Sequence, residues 1–315
     1  MGNEFEVQRV TEVMVCVITM KRPQQLGILL KALGALEVSS LNYSITVVDN
    51  DKAGSAQDVC RDFLAQGLAA LHYEIEPEPG IVAARNRCVS IFLASNAERL
   101  AFIDDDEQPQ SPDWLQKMVA CSEQYRADIV VADVLSSSSS NVPAWATEIL
   151  YSPSDCAEGT PRDVFYTGNL LMTRKVLETV TPAFDQRFAL TGASDYHFAL
   201  RCGNAGFKAV FADSPVLEEF PASRATVRWF MRRGYRSGAG HTRSHLIEEG
   251  ALLVFPKSLA LALLRFSLGF ALLVRGAVSA DKKHLVKGLF RLSSAVGTLA
   301  GLGGLMHHEY GELHR

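Results

Sequence analysis

Residues 100–107 read Leu-Ala-Phe-Ile-Asp-Asp-Asp-Glu, an apolar run that ends in four adjacent carboxylates. The apolar half is typical of a buried strand, and Pro109 soon after it prevents a simple continuation. Asp104 and Asp106 are two residues apart, so both side chains would face the same side of a strand. Hard divalent cations such as Mg²⁺ or Mn²⁺ bind one or two carboxylates together with phosphate oxygens. The stretch therefore predicts a metal and diphosphate site at the carboxyl edge of an α/β sheet, with a solvated acidic turn as the alternative.

The composition limits the class of protein. The chain has 315 residues, 48% of them hydrophobic, which is enough for one large core or two smaller ones. Its 6 cysteines are scattered, without a CxxC pair or zinc-like spacing with histidine, which predicts reduced thiols in a cytosolic compartment. The first residues are polar and acidic, so we expect no signal peptide. The sequence has no GxGxxG or GxSxG pattern, which disfavours Rossmann dehydrogenases and α/β-hydrolases.

The charge is divided unevenly along the chain. Residues 1–221 carry 17 Lys and Arg against 30 Asp and Glu, a net charge of −13, whereas residues 222–315 carry 14 against 5, a net charge of +9. The acidic part is unsuited to binding nucleic acid. The basic part also holds the most apolar segments of the chain, and this combination predicts contact with an anionic membrane surface.

Apolar runs and helical spacing alternate over the first two thirds of the chain. Strands are predicted at residues 13–19, 43–48, 71–75, 100–103, 128–135, 164–172 and 208–212. Helices are predicted at residues 24–36, 57–68, 81–96, 112–126 and 195–205. This alternation is typical of an α/β fold with a mostly parallel sheet covered by helices on both faces.

Two apolar segments lie near the C-terminus. Residues 258–274 are apolar except for Arg265, and residues 285–305 are apolar with Lys287 and Arg291 near their start. A helix that spans a bilayer needs about 20 predominantly apolar residues. The charges and the lengths favour helices that lie in the membrane interface or re-enter it, with helices packed in a soluble core as the alternative.

Several separated motifs fall where elements begin or end. Asp49 ends the second predicted strand, Gly80 and the pair Arg85-Asn86 lie at the start of the third helix, and residues 190–195 precede a late helix. The carboxyl ends of parallel strands share one edge of a sheet, so these groups can converge on one ligand. There an acid can hold a base or ribose, while an arginine and a helix N-terminus bind phosphate.

The motifs form one ordered series along the chain. They are Val17-Ile18-Thr19 with Arg22-Pro23, Val47-Val48-Asp49-Asn50-Asp51, Glu78-Pro79-Gly80-Ile81 with Ala84-Arg85-Asn86, Phe102-Ile103-Asp104-Asp105-Asp106-Glu107, Thr167-Gly168-Asn169 and Thr191-Gly192-Ala193-Ser194-Asp195. The series resembles family 2 glycosyltransferases of the GT-A fold, and within that group the bacterial exopolysaccharide type, the succinoglycan-like β-glucosyltransferases. The similarity covers roughly residues 13–240.

This resemblance implies an inverting transfer of a sugar from a nucleotide diphosphate donor, with UDP as the expected nucleotide. The residues that it places around the nucleotide sugar are Thr19, Asp49, Gly80, Arg85, Asn86, Asp104 and Asp105. Asp106 would bind the Mg²⁺ or Mn²⁺ that neutralises the departing diphosphate. Asp195 would act as general base on the acceptor hydroxyl, the catalytic role in this reaction.

The late motif departs from the family pattern at two positions. The usual sequence is Gly-Gly-Glu-Asp-x-Asp-Phe, whereas Ser194 here replaces the Glu and His197 replaces the second Asp. Because Asp195 is retained, we favour an enzyme. The alternative for Ser194 or Asp195 is a helix N-cap, and the alternative function is an inactive nucleotide-sugar-binding subunit at the membrane.

A basic helix follows the last predicted strand. Arg228, Arg232 and Arg236 are four residues apart and would share one helix face, with Arg233 beside them. These arginines, chiefly Arg232, Arg233 and Arg236, would bind a diphosphate, lipid headgroups or a polyprenyl-linked acceptor, with a solvated basic face as the alternative.

We therefore expect two units in the chain. Residues 1–240 would form the glycosyltransferase domain, and residues 241–315 a basic and apolar helical tail that associates with a membrane. The expected location is the cytoplasmic face of the inner membrane. The expected partners are a nucleotide sugar and a saccharide or polyprenyl-linked acceptor, without nucleic acid.

Overall fold

The computed structural model describes residues 10–137, 142–151, 153–164 and 166–305. Residues 1–9 lie outside the described residues, and they include most of the N-terminal segment for which we expect no signal peptide. Residues 306–315, at the end of the predicted tail, lie outside them as well. Residue 165, inside one predicted strand, lies outside them as well.

Eight strands form one sheet. They are β1 (Thr11–Thr19), β2 (Leu41–Asp49), β3 (Ala70–Ile75), β4 (Arg99–Phe102), β5 (Glu107–Pro109), β6 (Ile129–Ser137), β7 (Leu170–Thr173) and β8 (Ala209–Glu219). Their order is β3-β2-β1-β4-β7-β6-β8-β5. Neighbours are parallel from β3 to β4 and between β6 and β8, whereas β7 and β5 pair antiparallel with their neighbours. The predicted α/β fold with a mostly parallel sheet is confirmed.

Helices cover both faces of this sheet and continue past it. They are α1 (Pro23–Gly34), α2 (Gln57–Gln66), α3 (Ile81–Ala94), α4 (Trp114–Gln124), α5 (Ala144–Leu150), α6 (Arg174–Thr179), α7 (Ser194–Asn204), α8 (Val227–Glu249), α9 (Ala251–Ser279) and α10 (Lys282–Leu302). One core joins Leu30 and Trp114 to the sheet, and a second core on the other face contains Phe92 and Phe198. Burial on two sides explains why the central strands are continuous apolar runs without alternation.

Two strands differ from the prediction. Residues 164–172 were expected to form one strand, but β7 begins only at Leu170, because Asn169 adopts a positive φ of 55° in the turn before it. The Asn169 Oδ1 accepts a hydrogen bond from Trp114 Nε1 at 2.8 Å, which holds this turn against α4. β8 is longer than predicted because β5 pairs with its second half, where Glu107 lies opposite Glu218.

The three C-terminal helices pack against one another. α8 runs without interruption across residue 240, so the predicted boundary lies inside a helix, and the division into two units stays a prediction. α8 and α10 approach closely: a Cβ at Gly297 would lie 2.0 Å from the Tyr235 carbonyl oxygen. The predicted apolar segment 258–274 is part of the longer α9, whose 29 residues include Pro256 and many exposed leucines. In the described parts of the chain, α9 and α10 are the helices long and apolar enough to cross a membrane.

Candidate active site

The carboxyl ends of β1, β2 and β4 meet at one edge of the sheet. Thr19 and Asp49, the last residues of β1 and β2, lie opposite each other in the parallel register. The Thr19 Oγ1 donates a hydrogen bond to Asp105 Oδ2 at 2.7 Å, just beyond β4. The predicted convergence of the motifs at this edge is therefore present in the fold.

Asp49 organises the loop that follows β2. Its fully buried carboxylate accepts hydrogen bonds from the backbone N–H groups of Asp51 and Ala56, at 3.0 and 2.8 Å, and from the Tyr73 hydroxyl at 3.0 Å. These bonds fix the loop shape at the sheet edge. A contact of Asp49 with a nucleotide base stays a prediction.

Gly80 and Asn86 fix the position of α3. Gly80 precedes the helix at φ 123° and ψ 147°, a conformation that side chains disfavour, and its N–H donates to Asn50 Oδ1 at 2.8 Å. The Asn86 amide uses both of its polar atoms on the backbone of Phe184, at 2.7 and 3.0 Å. The described contacts of Asn86 thus join α3 to the segment before α7, and a direct contact with a donor stays a prediction.

Arg22 neutralises part of the acidic cluster. Its Nη1 lies 3.0 Å from Asp105 Oδ1 and 2.9 Å from Asp106 Oδ2. In the sequence, Arg22 stands in a motif, and no role was predicted for it. Its position directly after β1 was the available signal, because a cation is needed wherever adjacent carboxylates end a neighbouring strand.

Arg85 occupies the centre of the site. Its side chain is 4% exposed, and its guanidinium lies 3.9 Å from Asp104 Oδ1 and 3.6 Å from Asp195 Oδ1. The guanidinium carbon lies 5.6 Å from the centre of the Phe184 ring. Within the described residues, the buried Nη1 makes no hydrogen bond. A buried donor without an acceptor fits a place for an oxygen-rich ligand between the two aspartates.

The acidic cluster is under electrostatic strain that a cation would relieve. Desolvation in the cleft raises the pKa of Asp104 to about 6, Asp105 and Asp106 add to this rise, and Arg85 opposes it. Burial raises the pKa of Glu107 well above its usual value, and that of Glu218 to about 7, with Asp106 contributing. Oxygen donors at this density suit Mg²⁺ or Mn²⁺.

The acidic cluster offers a metal ion only part of its coordination. Among the residues described, no three His, Cys, Asp or Glu side chains are placed to hold a metal ion together. A site of one or two carboxylates completed by diphosphate oxygens agrees with that finding, because Mg²⁺ commonly shares its coordination with substrate phosphates. The donor set near Asp106 therefore fits the predicted metal.

Asp195 lies in the first turn of α7. The residue before the helix is Ala193, at φ 69° and following Gly192 at φ 71°, and no described side chain caps the helix. The capping alternative for Ser194 and Asp195 is therefore wrong. Asp195 is 28% exposed and accepts a hydrogen bond from Ser194 Oγ at 3.3 Å. Its carboxylate is thus accessible beside Arg85, as a general base must be.

The departure at His197 is accommodated by α8. The His197 Nε2 lies 2.8 Å from Glu248 Oε1, and the ring stacks on Phe188 with centroids 4.7 Å apart. Burial lowers the pKa of His197, so the ring is neutral at pH 7 and donates its Nε2 proton to Glu248. A carboxylate from another helix therefore holds the residue that departs from the family pattern.

A second set of aromatic and imidazole groups lies beside Asp195. Tyr196 stacks on His241 with centroids 3.7 Å apart, and its hydroxyl lies 2.9 Å from His245 Nε2. The His245 Nδ1 donates a hydrogen bond to Glu249, so its Nε2 accepts a hydrogen bond from the Tyr196 hydroxyl. Burial lowers the pKa of His241 to about 4, and Arg265 contributes. The four-residue spacing of His241 and His245 is visible in the sequence, but no contact with Tyr196 was predicted from it.

Of the α8 arginines, Arg233 has described interactions that lead toward the acidic cluster. Arg233 lies over Trp229, 5.3 Å from the ring centre, and opposes the burial-driven rise in the pKa of Tyr151, which hydrogen-bonds to Glu218. Arg232 is exposed and Arg236 partly buried. No described contact joins Arg232 to the acidic cluster, and its role stays a prediction.

α8 also touches α7 directly. A Cβ at Gly240 would lie 2.5 Å from the Cβ of Ala193, the residue that precedes Asp195 by two positions. Only glycine permits this close approach. α7, which carries Asp195, and the first of the C-terminal helices, α8, are therefore in direct contact.

Comparisons with known proteins agree with this geometry. Over 236 residues the chain is 28% identical to the succinoglycan biosynthesis protein ExoM of Rhizobium meliloti, covering 72% of this chain and 73% of that protein. The mannosyltransferase PcManGT from Pyrobaculum calidifontis, solved with GDP-Man and Mn²⁺, is 18% identical and has a TM-score of 0.62 over 92% of this chain and 88% of that one.

Two further solved structures share the fold. GalNAc-T7, solved with UDP, GalNAc and Mn²⁺, has a TM-score of 0.55 at 12% identity, covering 76% of this chain and 48% of that chain. TarS 1-349 of S. aureus has a TM-score of 0.51 at 12% identity, covering 93% and 92%. Residues 14–181 match the sequence profile described as Glycosyl transferase family 2, which is more than half of the chain. The protein belongs to glycosyl transferase family 2 and has the GT-A fold.

Proposed function

We propose that the protein is an inverting, metal-dependent hexosyltransferase that takes its sugar from a nucleotide diphosphate sugar, and we expect this donor to be a UDP-sugar.

 The acceptor in this proposal is a saccharide or a lipid-linked saccharide of cell-surface polysaccharide biosynthesis. Family membership and the similarity to ExoM support the general activity. The Mn²⁺ and nucleotide sugar bound by PcManGT support a metal-dependent use of such donors.

One observation carries this proposal. Arg85 lies between Asp104 and Asp195, within 3.9 and 3.6 Å of their carboxylates, so the acidic edge of the sheet and the base-bearing helix face one cleft. A nucleotide diphosphate held at the acidic edge brings its sugar toward Asp195. The buried Nη1 of Arg85 is a ready donor to an oxygen of that ligand.

The reaction needs a single displacement. Asp195 takes the proton of the acceptor hydroxyl while that oxygen forms a bond to the anomeric carbon. The bond between this carbon and the diphosphate oxygen breaks at the same time, and the nucleoside diphosphate leaves from the opposite face. The configuration therefore inverts, and no covalent intermediate on the protein is required.

The leaving nucleoside diphosphate carries a larger charge than the attacking acceptor hydroxyl. Arg85 is placed to donate to this diphosphate, and Arg22 is close enough to Asp106 to share the same region. Mg²⁺ or Mn²⁺, held by Asp106 with its neighbours, supplies neutralisation of the developing diphosphate charge when bound. The cleft thereby separates a charged leaving-group side from a proton-accepting side.

The C-terminal helices support a membrane location. α9 exposes a nearly continuous set of apolar side chains, including Leu252, Phe255 and Phe270. Exposed apolar surface of this extent is typical of a membrane or protein contact. We place these helices at the cytoplasmic face of the inner membrane, where a lipid-linked acceptor is within reach.

The test is donor turnover by the purified full-length protein in detergent, with Mn²⁺ or Mg²⁺ and a panel of nucleotide sugars. Membrane extract supplies the acceptor, and released nucleoside diphosphate is measured. We expect turnover of one donor, its loss on chelation with EDTA, and a decrease of at least about 100-fold in Asp106→Ala. Asp58→Ala, which alters an 82% exposed carboxylate on α2, is the matched control and should keep full turnover.

Two results would contradict the proposal. Turnover that persists in EDTA and in Asp106→Ala would exclude the assigned metal role. Donor binding without turnover, with membrane extract present, would favour the inactive nucleotide-sugar-binding subunit instead.

A further inference from the structure

A short helix contacts both the C-terminal helices and the segment beside the acidic cluster. This helix, α5, has 7 residues, and no described side chain caps its N-terminus. Isolated helices of this length are unstable in water, so packing against the rest of the protein must fix its position. Two sets of contacts do so, and both involve the C-terminal helices.

The first set of contacts is apolar. Ala146 of α5 is fully buried. Its cluster contains Phe220, which follows β8, Phe230 of α8 and Val286 of α10. The Trp145 ring lies beside the Phe230 ring, with the centroids 5.6 Å apart. Burial of this apolar surface holds α5 against α8 and α10.

The second set of contacts is charged and comes from the first turn of α10. The Lys282 Nζ lies 4.7 Å from the centre of the Trp145 ring. The next residue, Lys283, forms an ion pair with Glu148, which lies 135 positions earlier in the chain. Both side chains of this pair are partly exposed, so the pair contributes little to overall stability. It does specify where α5 docks, because opposite charges must meet there.

Tyr151 directly follows α5. Its backbone N–H donates to the Thr147 carbonyl oxygen at 2.9 Å, so its position depends on the last turn of this helix. The Tyr151 ring meets the Phe220 ring edge to face, with the centroids 5.6 Å apart. The Tyr151 hydroxyl donates a hydrogen bond to the Glu218 carboxylate. The end of α5 is thereby connected to the second half of β8.

Glu218 belongs to the acidic edge of the sheet. It lies opposite Glu107 in the antiparallel pairing of β5 with β8. Glu107 in turn accepts a hydrogen bond from the Asp104 backbone N–H at 2.9 Å. Asp106 acts electrostatically on Glu218. A shift of the Glu218 carboxylate would therefore change the charge distribution around Asp106, where we propose that the metal and the diphosphate bind.

We propose that α10 positions the donor site through α5, which places the Tyr151 hydroxyl so that it holds Glu218 beside Asp106. Tyr151 is in this inference a positioning residue that acts through Glu218. The C-terminal helices then serve the acidic side of the cleft as well as the membrane contact. This inference rests on the proposed function, because it assigns these residues a role at the proposed donor and metal site.

The first experiment measures binding of UDP with Mn²⁺ to the full-length protein in detergent by calorimetry. Tyr151→Phe removes the hydroxyl and keeps the ring against Phe220. We expect UDP to bind about three- to tenfold more weakly, because Glu218 loses one restraint and keeps only Arg224, whose Nη1 lies 3.5 Å away. Tyr43→Phe is the matched control, since it removes a hydroxyl that donates to the backbone of Leu33, and it should bind UDP as wild type.

Turnover separates positioning from a purely structural role. With the donor that the wild type uses, KM in Tyr151→Phe should rise by the same factor as the UDP dissociation constant, with kcat within about twofold of wild type. A purely structural role would lower the melting temperature and leave KM unchanged, and that result would overturn the inference.

A charge exchange tests the step from α10 to α5. Lys283→Glu and Glu148→Lys each bring like charges together, whereas the double variant restores an opposite pair. We expect each single variant to speed amide hydrogen exchange of residues 144–151 at least about threefold and to weaken UDP binding, and the double variant to recover most of both losses. Lys117→Glu, which breaks an exposed ion pair with Asp113 on α4, is the matched control and should change neither measurement.

The outcomes distinguish this inference from the proposed function. Hydrogen exchange of α5 at the wild-type rate in both single exchange variants would overturn the step from α10 to α5. Faster exchange with unchanged UDP affinity, in these variants and in Tyr151→Phe, would show that α10 only stabilises α5 and would overturn the positioning role. UDP binding that weakens as expected, in a protein that turns over no donor, would support the positioning role and contradict the proposed function.

Discussion

The two sides of Asp195 are built from different chemistry. On one side, which we propose as the donor side, strand ends carry charged groups, and Arg22 and Arg85 lie between 2.9 and 3.9 Å from carboxylates. On the other side, helices carry a phenol and imidazoles, and Tyr196 and His245 meet through a hydrogen bond of 2.9 Å.

This difference follows the demands of the proposed reaction. A departing diphosphate is highly charged and is stabilised by cations fixed in advance. An arriving hydroxyl is neutral until it loses its proton, so a less charged surface suits it. The contrast shows that the charge of the side chains is enough to propose which side of a cleft binds the donor and which binds the acceptor, without a bound ligand.

The largest expected effect is on turnover, and it comes from changing Asp195, the residue between the two sides of the cleft. Asp195→Asn keeps the size of the side chain but removes the proton acceptor, so we expect turnover to decrease by about 10²–10⁴-fold. Donor binding, measured by calorimetry with a nucleotide sugar and Mn²⁺, should stay within about twofold of wild type. Asp58→Asn is the control for loss of a carboxylate elsewhere.

A variant that lost donor binding together with turnover would place Asp195 on the donor side. The two sides of Asp195 would then not correspond to a donor side and an acceptor side.

The second expected effect, of intermediate size, is on the free energy of unfolding at acidic pH, and it comes from His241 in α8. The folded pKa of His241 is about 4, below the unfolded value near 6.5, so the unfolded state binds the proton more readily between these values. Stability from this group is therefore present above pH 6.5 and is lost as the pH falls toward 4. At pH 5.5 the loss is about 1.4 kcal/mol.

His241→Gln should remove this contribution. The difference in unfolding free energy between variant and wild type, measured by urea unfolding in detergent, should change by about 1.4 kcal/mol between pH 7.5 and 5.5. The comparison with wild type is needed because Asp104 and Glu218 have raised pKa values, which favour the folded state on acidification. An unchanged difference would show that His241 titrates normally.

The smallest expected effect concerns the contact between α7 and α8. Glu248→Ala removes the partner of the buried His197 Nε2 and should destabilise the protein by about 1–2 kcal/mol. Glu248→Gln retains a hydrogen-bonding group and should recover most of that loss. Thermal unfolding of the two variants compares them, and equal melting temperatures would mean that the hydrogen bond contributes little.

The convergence of acidic and basic groups at one edge of the sheet was largely predictable from the sequence. Asp104, Asp105, Asp106 and Arg85 lie in short motifs that follow strands or begin a helix, and parallel strands bring such ends to one edge. The mostly parallel sheet followed from the same alternation of elements. Local pattern was sufficient wherever the contacts follow from the order of the elements.

The helical side was not predictable in the same way. His197 meets Glu248 across 51 positions of the chain, and Tyr196 meets His245 across 49. These contacts depend on how α8 crosses α7, which helical periodicity does not specify. Arg22 was missed for a related reason, because its partner Asp105 lies 83 positions away.

The close contact of Gly240 with Ala193 affects how far Asp195 lies from the C-terminal helices. α8 has 23 residues, so it is about 35 Å long at 1.5 Å per residue, and it continues without interruption past this contact. A continuous helix of this kind resists bending, so Asp195 is held at a fixed distance from the C-terminal helices. In the proposed reaction, this fixed distance would favour acceptors whose free hydroxyl lies equally far from the C-terminal helices.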